Sequence, residues 1–162
     1  MNTAGQTIAY ALRASRQQLD MYTADLKGSD WLHRPSPKAN CAAWIVGHLI
    51  LADRRPMGLL GASDLPTLPE GFEKRFARDE TAPGAAEFGD TSILVPLFDR
   101  QRERFIDAVK CADESLLNKP VEKPTPRYGT VGELAAYMAL HASMHAGQIT
   151  LIRRSLGRPP IV

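Results

Sequence analysis

His141 and His145, in the run His141-Ala142-Ser143-Met144-His145, are the residues whose type and spacing speak most directly of chemistry. An i, i+4 step turns about 400° around a helix axis, so both rings leave the helix from nearly one line, one turn apart. Two imidazole nitrogens placed so suit one ion. A third histidine, His48, lies in a second apolar run, Ala42-Ala43-Trp44-Ile45-Val46-Gly47-His48-Leu49-Ile50-Leu51. From another helix it would complete a facial set of ligands. Burying a polar ring on an apolar stripe is costly unless the ring has a partner. A metal is one such partner; hydrogen bonding within a metal-free core is the other.

The neighbouring residues narrow the chemistry. The residue after His141 is Ala142, so the glutamate of the zinc-protease motif is missing and a metalloprotease is excluded. Cys41 precedes His48 by seven residues, about 10 Å along a helix and too far to share its ion; it reads as packing. Asp53 is the nearest carboxylate to His48 but projects from a different face, so it is not assigned as a general base. Gln148, three residues past His145, is a candidate for orienting a ligand or is a polar residue on the helix shoulder. His33 reads as a loop histidine, Tyr137 and Met144 as core, and Arg54 and Arg55 as cations suited to a helix C-terminus.

Four helices are expected to position these residues, near 3–27, 40–55, 91–111 and 131–156. Thr3-Ala4-Gly5-Gln6 fits a capping box, followed by the stripe Ile8, Leu12, Ser15, Leu19, Tyr22, Leu26. Asn40 is the expected N-cap of the second helix, which should stop before Pro56. Leu94, Leu97, Phe98, Phe105 and Val109 mark the inner face of the third. Thr130-Val131-Gly132-Glu133 is a second capping box, opening the inward line Val131, Leu134, Met138, His141, His145, Ile149, Ile152. The stretches 56–90 and 112–129, rich in glycine and proline, read as irregular connections without strands. The fold expected is all-α, a single four-helix-bundle domain over 1–162.

Bulk properties exclude several classes. The 162 residues carry a net charge of +2 with 44% hydrophobic composition, which fits one folded domain and does not suggest nucleic-acid binding. The longest apolar run, from Cys41 to Ala52, is too short to span a bilayer. With two distant cysteines, Cys41 and Cys111, and no signal peptide, free thiols and a cytoplasmic location are expected.

The layout resembles the DinB-like (DinB/YfiT-like) metalloenzyme family over nearly the whole chain. The resemblance is carried by Trp44-Ile45-Val46-Gly47-His48-Leu49, His141-Ala142-Ser143-Met144-His145-Ala146-Gly147-Gln148-Ile149, Leu68-Pro69-Glu70-Gly71-Phe72 and Leu151-Ile152-Arg153-Arg154-Ser155-Leu156-Gly157. It implies an up-down-down-up bundle with a long crossover between the second and third helices. It also implies a homodimer and a divalent metal, zinc or nickel, held by His48, His141 and His145. Relatives include transferases and isomerases that use a low-molecular-weight thiol such as bacillithiol, mycothiol or a glutathione-like molecule.

The expectation is therefore a metal-dependent enzyme acting on a small molecule, with thiol-dependent transferase or isomerase chemistry. Three neutral imidazoles leave an ion its full charge and an open position, where water is acidified or a thiol is held as thiolate. The segments 31–38, 56–90 and 112–129 are the material for a pocket wall. The alternatives are a metal-dependent hydrolase and a non-catalytic metal-binding stress-response dimer, the latter favoured if His33 supplies a fourth ligand. No partner among nucleic acids or membranes is expected.

Overall fold

The computed structural model describes residues 3–77 and 88–161. Six helices and one hairpin follow in the order α1 (Ala4–Thr23), α2 (Ala42–Leu59), α3 (Phe72–Phe76), α4 (Leu94–Cys111), α5 (Glu114–Leu117), β1 (Pro120–Thr125), β2 (Tyr128–Thr130) and α6 (Val131–Ser155). The four long helices contact one another in a ring, α1 to α6, α6 to α2, α2 to α4 and α4 to α1. No described helix is long and apolar enough to cross a membrane.

Both expected capping boxes form. Thr3 Oγ1 accepts from Gln6 N at 3.2 Å while Gln6 Oε1 accepts from Thr3 N at 2.9 Å. At α6, Thr130 Oγ1 accepts from Glu133 N at 3.2 Å. The Glu133 carboxylate takes the N–H groups of Thr130 at 3.1 Å and Gly129 at 2.6 Å. Each box satisfies donors that a helix start leaves without partners.

Elsewhere the boundaries differ from the sequence reading. Helix α1 stops at Thr23 rather than near 27, although Leu26 is buried beyond its end. The N-cap of α2 is Cys41, not Asn40, and its side chain makes no capping bond. Nor does Pro56 end this helix, which runs on to Leu59. A proline within a helix costs about 3 kcal/mol through its lost donor and ring clash. Burial of Pro56, Met57 and Leu60 offsets that cost at the last turn.

The connections hold more structure than expected. The 56–90 stretch contains α3, while its residues 78–87 lie outside the described ones. A 3-10 turn, Thr91–Ile93, precedes α4 and is capped by Asp90. The 112–129 stretch folds into α5 and, against expectation, an antiparallel hairpin pairing Pro120 with Thr130 and Thr125 with Tyr128. Its register shifts between those pairs, and Val121 is the one buried residue of β1. The chain is thus mostly helical with one small sheet.

The core falls into two clusters. One contains Leu19, Ile45, Leu49, Ile50, Phe98, Ala142, Ala146 and Ile149; the other contains Leu12, Met57, Phe105, Val109, Leu134 and Ala139. Along each long helix a polar residue stands between the two: Ser15 on α1, Asp53 on α2, Arg102 on α4 and His141 on α6. Arg102 and Asp53 are both fully buried and form an ion pair, with Nε 2.9 Å from Oδ2 and Nη2 3.2 Å from Oδ1. Asp53 therefore turns toward α4, as its helical position suggested. Glycine is required at one place near the site: a Cβ on Gly47 would fall 2.2 Å from Cδ1 of the Phe76 ring on α3.

Candidate metal centre

His48 on α2 and His141 and His145 on α6 meet between the two helices. One nitrogen from each ring lies within 4.8 Å of the others, and no further His, Cys, Asp or Glu of the described residues joins the group. The ring centroids are 5.3 Å apart for His48 and His141, 5.3 Å for His48 and His145, and 4.7 Å for His141 and His145. All three sit where a helix stripe passes from core to surface, and each is half-buried.

The facing nitrogens fit a cation. His141 Nε2 and His145 Nε2 are 3.1 Å apart. Two nitrogens each about 2.0–2.1 Å from one ion stand about 2.9 Å apart at a right angle and about 3.4 Å apart at the tetrahedral angle. The observed separation falls between these values. Gln148 Oε1 lies 3.0 Å from His145 Nδ1. A carbonyl oxygen only accepts, so that contact places the proton on Nδ1 and leaves the Nε2 lone pair for a ligand bond. Nδ1 of His141 is buried without a hydrogen-bond partner.

Electrostatics keep the two rings of α6 in the ligating form. Burial, followed by the nearby His145 and His48 and the charges of Arg102 and Arg127, holds His141 down to about 4. Burial also lowers His145, against the opposing pull of its Gln148 hydrogen bond. Neutral imidazole is the form that binds a metal.

Aromatic rings flank the group on two sides. Trp44 stacks on His48 with centroids 4.7 Å apart and planes 6° from parallel. Tyr137 stacks on His141 at 6.0 Å and 20°. Both aromatics stand four residues before the histidine they cover, on the same helical line. That spacing was the available signal, although Tyr137 had been expected only to fill core. Met144 is not core at all: it is 55% exposed.

The other singled-out residues lie elsewhere. His33 Nε2 is 2.9 Å from Ser155 Oγ and stands outside the histidine group. Cys41 is buried, and it and Cys111 are both free thiols. Arg54 donates to the carbonyl of Pro66 and to Gln101 Oε1. Arg55 turns toward Tyr128 of the hairpin, which sequence spacing gave no means to foresee.

No curated protein matches the chain. The model of the DinB superfamily matches residues 11–149, a span that contains all three histidines. With that match over most of its length and the histidine group at its centre, the chain belongs to the DinB superfamily.

Proposed function

We propose that this protein is a divalent-metal-dependent enzyme acting on a small molecule, with zinc or nickel held by His48, His141 and His145. The observation that carries this reading is the 3.1 Å approach of two imidazole nitrogens with a third imidazole beside them. A three-ligand set without a fourth protein donor is the pattern of a catalytic rather than a structural site. When bound, the ion supplies positive charge that acidifies water or a thiol at its open position. The protein's own residues orient and shield: Gln148 fixes the ring of His145, and Trp44 and Tyr137 cover the other two rings. Resemblance favours a low-molecular-weight thiol as cosubstrate, in transferase or isomerase chemistry.

The frame proposed is a single four-helix-bundle domain in up-down-down-up order, with the long crossover joining α2 to α4. In its support, α1 and α6 run from the Leu12 cluster toward the Leu19 cluster, whereas α2 and α4 run the other way. A homodimer is part of the same reading. Its support is the outer face of α6, where Leu140, Met144 and Leu151 are exposed within a stretch, 134–152, that has no charged residue. Two free cysteines suit a cytoplasmic location.

Metal analysis of the purified protein, then titration of its cobalt form with small thiols, tests the function. An intense near-ultraviolet band on adding a thiol supports thiol chemistry. Bound metal with hydrolytic activity but no thiol response supports the hydrolase. Tightly held metal that neither water nor thiol exchanges supports the non-catalytic stress-response dimer.

A further inference from the structure

The wall that leads away from His141 is built of tyrosines and guanidinium groups. Tyr137 stacks on His141, and Arg127 from the β1–β2 turn places its Cζ 5.8 Å from the centroid of the same tyrosine ring. Tyr128 lies 5.7 Å from Tyr137, centroid to centroid. Arg55, from the end of α2, completes the row with its Cζ 5.9 Å from the Tyr128 centroid and Nη1 3.4 Å from the Tyr128 hydroxyl.

A guanidinium has five N–H donors, so one that sits over an aromatic ring, even with one donor on a hydroxyl as in Arg55, keeps donors for a ligand. Neither Arg55 nor Arg127 pairs with a carboxylate among the described residues. The Glu133 carboxylate at the start of α6 is occupied by the N–H groups of Gly129 and Thr130. Two cations without a carboxylate partner among the described residues thus stand on the wall of aromatic rings that leads to the histidine group. The hairpin cannot drift freely from α6, because the same Glu133 carboxylate ties its last residues to the helix start.

We propose that Arg55 and Arg127, held against Tyr128 and Tyr137, form a subsite for the carboxylate end of a small organic acid whose other end reaches the histidine group. This rests on the reading of that group as a small-molecule site. The guanidinium groups would take the carboxylate oxygens, in the paired geometry that arginine suits, while the tyrosine rings, already covered by His141, Arg127 and Arg55, hold those groups in place.

Benzoate and benzyl alcohol, alike in shape and different in charge, are the probes. Calorimetric titration of the protein as purified, and again after chelation of any metal, measures the two affinities; metal content is determined in parallel. Benzoate should bind about tenfold more tightly than benzyl alcohol, as charge-assisted bonds imply. Arg127→Gln and Arg55→Gln, both at exposed positions, should each remove most of that preference while circular dichroism stays unchanged. Equal affinity for the two probes, or a preference that survives both substitutions, overturns the proposal. Chelated protein that prefers benzoate although no metal is ever found keeps the subsite and discards the metal reading. Protein that holds metal but shows no preference discards the subsite alone.

Discussion

Two polar groups interrupt the apolar core at the same level, and they are resolved in opposite ways. Between α2 and α4, Asp53 and Arg102 satisfy each other, with Phe98 and Phe105 against the guanidinium. Between α2 and α6, three imidazoles bring one nitrogen each to a common space, with no carboxylate among the described residues joining them. The first group is closed by charge: each ion has its counter-ion within the chain. The second is open, and its nitrogens point at a common space. The first composition suits structure, whereas the second is compatible with a bound metal ion.

Removing one partner from the closed group should produce the largest loss of stability. Arg102→Ala leaves the Asp53 carboxylate buried alone and should cost about 3–5 kcal/mol, read by urea denaturation. The double variant Asp53→Leu/Arg102→Met should recover much of that loss. In the open group the same kind of deletion should act on metal instead. His141→Ala or His145→Ala should remove most bound zinc in metal analysis while the helical circular dichroism is retained, because the rings sit at the core's edge. Gln148→Ala, which removes the hydrogen bond to His145, should weaken metal affinity by about 10–100-fold in a competition assay with a chelator.

Acid should separate the two groups by sign. His141, held down to about 4 against its ordinary 6.5, stays neutral in the folded chain while the unfolded chain takes up a proton. Its contribution is fully present above the unfolded value and is lost as pH falls from about 6.5 through about 4. Asp53 behaves oppositely: burial outweighs Arg102 and pushes it up to about 6. Its contribution is full at low pH and declines as pH rises through that value. Metal-free wild type should therefore lose more stability than His141→Ala between pH 7 and pH 5. A smaller loss in wild type would break the comparison.

Much of the open group was legible because its key spacing is local. His141 and His145 are one turn apart on a periodic stripe, and both capping boxes are contained in four residues. Cooperation across the chain was not legible. Nothing local pairs Asp53 with Arg102, 49 residues away, or Arg55 with Tyr128, 73 residues away. Pro56 looked like a helix end because its cost is local, whereas the burial that offsets it comes from other helices. The hairpin was missed for a related reason. Val121 alone faces inward on β1, so no alternating pattern exists to be read, and Pro120, Pro124 and Pro126 argue against strands.

The close seating of Phe76 on Gly47 has one more consequence. It places the anchor of α3 one residue from His48, where the backbone of α2 carries no side chain to hold the two apart. Loosening of either segment uncovers the other, so the two are expected to open as one cooperative unit. Deuterium should enter 45–48 and 72–76 at matched rates, and an isobutyl-sized residue at 47 should quicken both together.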